Sequence, residues 1–184
     1  VIPHAVDSVS INHLPTGVHG LDEVLGGGIP EYSFNLIAGA PGTGKTTLSQ
    51  QIMFGLATPQ RPALHLTVVG EPAIKMLRYQ QQFTFFDRAK VGSSVHYASL
   101  SDETLDQGLD AVLEAIVAQV DQLSPSVVVV DSFRTLMRSV DLGQKGHKQL
   151  QRFLERLAIY LTSWQATTFL IGEYAENDSL DNTV

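Results

Sequence analysis

The stretch Gly39-Ala40-Pro41-Gly42-Thr43-Gly44-Lys45-Thr46 constrains this chain more than any other. It fits G-x-x-x-x-G-K-[ST], a loop whose backbone amides cradle phosphate groups. Such a loop works between a strand and a helix, and both are legible here. Residues 34–38, Phe-Asn-Leu-Ile-Ala, are mostly apolar and read as a buried strand. Residues 45–57 carry Leu48, Ile52, Met53 and Leu56 at helical spacing. The loop glycines allow backbone conformations that a Cβ would forbid, and a close approach to phosphate. The inward amides then sit at a helix N-terminus that carries about half a positive charge. Lys45 has the reach for β- and γ-phosphates, and the Thr46 hydroxyl can ligate Mg²⁺. The expected ligand is a nucleoside triphosphate with Mg²⁺. It would be held by Gly39, Ala40, Pro41, Gly42, Thr43, Gly44, Lys45, Thr46 and the adjoining Thr47.

Downstream, strands and helices alternate. Residues 63–69 form an apolar, β-rich run ending in Gly70-Glu71-Pro72, and Pro72 suits the first turn of a helix extending to about residue 82. Phe83, Phe85 and Phe86 then cluster, as expected of a core lid over that helix; the competing role is an aromatic platform for a base, with only Arg78 and Arg88 as basic neighbours. Val95 to Ala98 reads as a short strand. Ser101-Asp102-Glu103 opens a helix carrying Leu105, Leu109, Val112, Leu113, Ile116, Val117 and Val120, which Ser124-Pro125 stops. Four valines at 127–130 predict a strand buried on both faces. Asp131 at its end is the expected second half of a phosphate-loop site, ordering Mg²⁺ and its waters; the competing role is to cap the next turn. A second long helix covers residues 144–163 with Leu150, Phe153, Leu154, Leu157 and Leu161 inward, and residues 167–171 are the last clear strand. This order implies an α/β fold, a mostly parallel central sheet with helices on both faces and ligands at the strands' carboxyl ends, where residues 39–46, 70–71, 131–132 and 172–173 fall. The expected organisation is one domain: a lead-in over residues 1–33, a nucleotide-binding core over 34–172 and a polar tail over 173–184.

Composition narrows the setting. The 184 residues include no Cys, which excludes disulfides and thiolate metal sites. No apolar run approaches bilayer length and no signal pattern opens the chain, so a cytoplasmic protein without a membrane partner is expected. The net charge of −7 argues against a surface built broadly for nucleic acid. The six histidines show no pair at ligand spacing on one element. Six of the twelve Lys and Arg lie at Arg134, Arg138, Lys145, Lys148, Arg152 and Arg156. The last four fall on one side of a helix and read either as a solvated face or as an interface.

Upstream of the phosphate loop stands Thr16-Gly17-Val18-His19-Gly20-Leu21-Asp22-Glu23-Val24-Leu25-Gly26-Gly27-Gly28-Ile29-Pro30. On physical grounds it is a capped helical turn and a loop. Followed by a strand and Gly-Ala-Pro-Gly-Thr-Gly-Lys-Thr-Thr, it resembles the RecA/RadA/KaiC superfamily of ATPases, and most of all the KaiC-type domains. The resemblance runs from about residue 8 to about 175. It implies a RecA-like P-loop fold, ATP as the nucleotide, and the strand ending at Glu71 lying beside the strand ending at Asp131. Hydrolysis needs a group that orients or deprotonates water in line with the γ-phosphate. Glu71 is the expected catalytic base by position, with helix capping as its competing role, and Lys45 the expected phosphate clamp.

Two departures bear on activity. KaiC-type domains usually carry two acids where this chain has Gly70-Glu71. The resemblance also implies a homo-oligomeric ring, a hexamer among the options, in which a neighbour supplies a Lys or Arg from strands after the one at 167–171. No such strand is recognisable before Val184, so the chain reads as a fragment or takes that cation from elsewhere. The expectation is a slow oligomeric Mg·ATPase of signalling or clock type. Three other functions fit the same residues: a DNA-dependent recombination ATPase, a Ser/Thr autokinase acting near Ser132 and Thr135, and a nucleotide sensor without turnover. The segment 139–147 is short and free of aromatics, which points away from DNA contact and towards a protein interface.

Overall fold

Val127, Val128, Val129 and Val130 are each at most 1% exposed, and the fold is built around the strand they form. The computed structural model describes residues 11–68, 73–132 and 144–173. In chain order these hold β1 (His13–Leu14), α1 (Leu21–Val24), β2 (Ile29–Pro30), β3 (Phe34–Gly39), α2 (Lys45–Leu56), β4 (Ala63–Val68) and α3 (Ala73–Gln80). A 3₁₀ turn (Arg88–Lys90) leads to β5 (Val95–Leu100), α4 (Asp102–Asp106), α5 (Leu109–Leu123), β6 (Val127–Asp131), α6 (Gln144–Ser163) and β7 (Thr167–Glu173). The main sheet has the order β3-β7-β6-β4-β5, and every neighbouring pair is parallel.

Side chains alternate across a strand, so β6 feeds two cores. Val128 and Val130 pack with Leu64 and Leu66 of β4 against Ile116 and Val120 of α5 and Leu157 and Leu161 of α6. Val127 and Val129 pack with Phe169 of β7 against Ile52, Met53 and Phe54 of α2. Each such buried side chain contributes roughly 1.5–3 kcal/mol. Helices thus cover both faces, and parallel β4 and β6 place Thr67 opposite Asp131 in register.

Three local readings needed correction. β3 is not buried: it lies at the sheet edge, paired only with β7 among the described residues, and Leu36 is 54% exposed. The helix expected from Ser101 onward is two helices, because Gly108 takes a φ of 97° that breaks the spiral between α4 and α5. The lead-in holds a small antiparallel sheet, β1 with β2, where a loop was expected. Gly28 makes that sheet possible: its φ is 113°, and a Cβ there would stand 2.4 Å from the Leu14 carbonyl oxygen.

The lead-in motif folds into a clamp. Asp22 Oδ1 accepts from the Thr16 amide at 2.9 Å and from the Thr16 hydroxyl at 2.6 Å, and these bonds hold its carboxyl below the usual range. Gln51 of α2 donates to the Gly17 carbonyl, tying the clamp to the helix behind the glycine-rich loop.

Candidate functional site

The loop between β3 and α2 is shaped by its glycines. Gly44 takes a φ of 86° as the residue preceding α2, with no side chain capping the helix's first amides. Uncapped amides at this end favour an anion. The Ala40 carbonyl collects three donors: the Thr43 hydroxyl at 2.9 Å, the Thr43 amide at 3.4 Å and Lys45 Nζ at 2.8 Å. Lys45 is buried, so its ammonium is fixed over the loop and not spread into solvent.

Across from the loop lies the end of β6. Thr46 Oγ1 donates to Asp131 Oδ2 at 2.7 Å. Burial raises the Asp131 pKa most; the Thr46 hydrogen bond and the Lys45 charge pull it back, and the Glu173 charge pushes it up again. A half-buried carboxylate with a second acid nearby is a setting in which a cation is favourable. Mg²⁺ commonly takes one or two carboxylates together with substrate phosphates. The Thr46–Asp131 pair beside a phosphate-type loop fits that donor set, and no cluster of three or more ligating side chains occurs among the described residues.

In the sequence Glu173 both opens the polar tail and stands at a strand's carboxyl end. β7 runs two residues further than expected and sets Glu173 in register with Gly39, where it lines a cleft of about 420 Å³ together with Thr46, Thr47, Asp131 and Ser132. Its place at the carboxyl end of a strand, shared with Asp131, agrees with the sequence expectation for residues 172–173. The far wall of the cleft is Met76, Tyr79 and Gln80 of α3 with Phe83 beyond it. The Phe cluster divides: Phe85 and Phe86 pack on Phe54 at ring separations of 6.0 and 5.3 Å, while Phe83 is 40% exposed.

His65 was missed as a neighbour of the site. It is fully buried on β4, and Nε2 stands 4.0 Å from Asp131 Oδ2. Burial drives its pKa down to about 3, so the imidazole is neutral and the two groups are not an ion pair. Among the described residues neither ring nitrogen has a hydrogen-bond partner, an arrangement that costs about 1–3 kcal/mol per group.

Glu71 and Gly70 lie outside the described residues, as do Arg134, Thr135 and Arg138. β4 ends at Val68 beside Asp131's strand, three residues before Glu71. Of the basic strip, Lys148 and Arg152 are exposed, and Arg156 pairs with Asp110 of α5. No helix among the described residues is long and apolar enough to cross a membrane.

The family model described as ATPase: KaiC matches residues 14–183. The DNA repair protein RadA of Mycobacterium tuberculosis (strain H37Rv) is 32% identical over 177 residues, which cover 96% of this chain and 34% of that protein. A UPF0273 protein of Pyrococcus horikoshii is 30% identical over 135 residues, covering 66% of this chain and 54% of that one. The chain therefore spans about a third of the length of its RadA relatives. Among solved structures, a KaiC-like protein of Pyrococcus horikoshii OT3 superposes with a TM-score of 0.69 at 24% identity, covering 90% of this chain and 73% of that chain. That likeness carries the RecA-like fold.

Proposed function

The chain belongs to the KaiC family of ATPases, and from that premise we propose that its cleft binds Mg²⁺·ATP and hydrolyses it slowly within a homo-oligomer, as a regulatory module of signalling or clock type. The observation that carries the reading is the 2.7 Å bond from Thr46 to Asp131 at the mouth of the loop. Loop residues 39–47 hold the phosphates, with Lys45 neutralising the outer ones. Thr46 and Asp131 hold Mg²⁺, which when bound supplies positive charge to the β- and γ-phosphate oxygens. Glu71 orients and deprotonates the attacking water. Glu173, which lines the same cleft as Asp131, tunes the charge around that carboxyl.

The test is Mg·ATP turnover over a range of protein concentrations, with Lys45→Ala and Glu71→Gln alongside. Turnover per chain that rises with concentration and vanishes in both variants supports an oligomeric ATPase with Glu71 as base. Tight nucleotide binding with no turnover at any concentration replaces it with a nucleotide sensor.

A second reading is a DNA-stimulated ATPase. It is favoured by relatives that are named DNA repair proteins and that match 96% of this chain. The net charge of −7 counts against it. Several-fold stimulation of turnover by single-stranded DNA, lost at high salt, would select this reading; no stimulation would leave the regulatory one.

A further inference from the structure

His65 occupies a place where an apolar residue would pack without cost. Side chains on β4 alternate, and Leu64, Leu66 and Val68 enter the core under α5 and α6. His65 points the other way, onto the face that holds Val129 and, two residues on, Asp131. Its register partners are Val129 on β6 and Tyr97 on β5. The Tyr97 ring lies 5.5 Å from the imidazole and limits its tilt. The Tyr97 hydroxyl is turned to Gln50 at 2.9 Å and Gln80 at 3.2 Å, so it does not serve the histidine. Among the described residues two nitrogens are thus left without a partner in a fully buried ring, and a buried polar group with no partner calls for an explanation.

The nearby acceptor is Asp131 Oδ2, 4.0 Å from Nε2. That is about 1 Å beyond a hydrogen bond, a gap that rotation of the carboxylate can close. Thr46 already bonds the same oxygen from the loop side. We propose that His65 is a positioning residue for this site: carrying its proton on Nε2, it donates to Asp131 Oδ2 from the sheet side and fixes the carboxylate when a metal–nucleotide complex is bound. The role is that of the outer partner that orients a metal-binding side chain. The proposal rests on the nucleotide-site reading above.

The test uses Mn²⁺ as the probe, followed by electron paramagnetic resonance in the presence of ADP, so that no turnover is needed. His65→Phe keeps a ring of similar shape without a donor, and His65→Gln keeps an amide nitrogen near the place of Nε2. The Phe variant is expected to bind ADP without metal as the unaltered protein does, yet to take up Mn²⁺ about 10- to 100-fold more weakly, with most of the loss restored in the Gln variant. Ring ¹⁵N–¹H spectra of the unaltered protein should show the His65 proton on Nε2, with a resonance that moves on addition of Mg·ADP. Unchanged Mn²⁺ affinity in His65→Phe, or a proton on Nδ1, overturns the proposal. Should the Phe variant fail to fold, the Gln variant and the ring spectra decide it. Failure of the unaltered protein to take up Mn²⁺ with ADP would end the site reading as well, whereas uptake equal in all three proteins would end only the role of His65.

Discussion

Thr46 and Asp131 are 85 residues apart in the chain and 2.7 Å apart in space, the hydroxyl that opens α2 donating to the carboxylate that ends β6. The contact needs the parallel order of the sheet, in which β7 lies between β3 and β6 and all carboxyl ends share one edge. Breaking it should show in metal binding before stability. A hydrogen bond to a charged group is worth about 1.5–3 kcal/mol. Thr46→Ala should therefore weaken Mg²⁺ uptake in the presence of ADP by roughly 10- to 100-fold. Thr46→Ser should stay near the unaltered protein. Calorimetric titration of both variants checks this; equal losses in Ala and Ser would show that the hydroxyl is not what matters.

The Lys45 ammonium is buried and bonded to the Ala40 carbonyl. Removing it takes away the proposed phosphate partner and the donor to the Ala40 carbonyl. Lys45→Ala should lower ATP affinity by at least about tenfold, the equivalent of about 1.4 kcal/mol, and Lys45→Met should do the same. A fluorescent ATP analogue measures it. Affinity retained in either variant would remove Lys45 from the site.

The lead-in sheet depends on Gly28, which the sequence marks only as part of the end of the helical turn. At Gly28 a Cβ would meet the Leu14 carbonyl oxygen at 2.4 Å, and its φ of 113° strains any other residue. Gly28→Ala should destabilise the protein by about 1–3 kcal/mol, read as a lowered melting temperature. Gly27→Ala, with a φ of 122° but open space around its Cβ, should cost less.

The Asp22 clamp carries a pH dependence of known sign. The Thr16 hydrogen bonds hold the Asp22 carboxyl below its ordinary value of 3.8. The unfolded chain therefore binds that proton more readily than the folded one. The contribution is present above the ordinary value and is lost as pH falls through the depressed folded value. Thermal unfolding followed from about pH 5 down to about pH 2 should show part of the acid destabilisation vanish in Asp22→Asn. An identical acid profile in the variant would contradict the clamp.

How much of this was legible beforehand follows from range. The phosphate loop is contiguous, so Gly39 to Thr46 could be read with its strand and helix. Val127 to Val130 announced a strand buried on both faces, because β-branched residues without polar alternation have no solvent side. Asp131 could be placed because it ends that run. The edge position of β3 was not legible, since whether an apolar strand gains neighbours on both sides is decided by the rest of the sheet. The break at Gly108 was masked by an apolar period that continues on both sides of it. Glu173 could be set at a strand's carboxyl end, but its nearness to Asp131, like that of His65, is not legible from the sequence. Each becomes a neighbour of Asp131 only through strand register, Glu173 from β7 and His65 from β4, and register is a property of paired strands. Glu71 keeps the role assigned from the sequence as a proposal, because it lies outside the described residues.

The central claim is that this cleft is a Mg·ATP site built on Lys45, Thr46 and Asp131. Calorimetric titration of ATP into the protein with and without Mg²⁺, repeated with Asp131→Asn, tests it most directly. Mg²⁺ should tighten ATP binding in the unaltered protein, and Asp131→Asn should keep metal-free binding while losing most of the gain. Binding that is indifferent to Mg²⁺, or a gain that survives intact in Asp131→Asn, would contradict it.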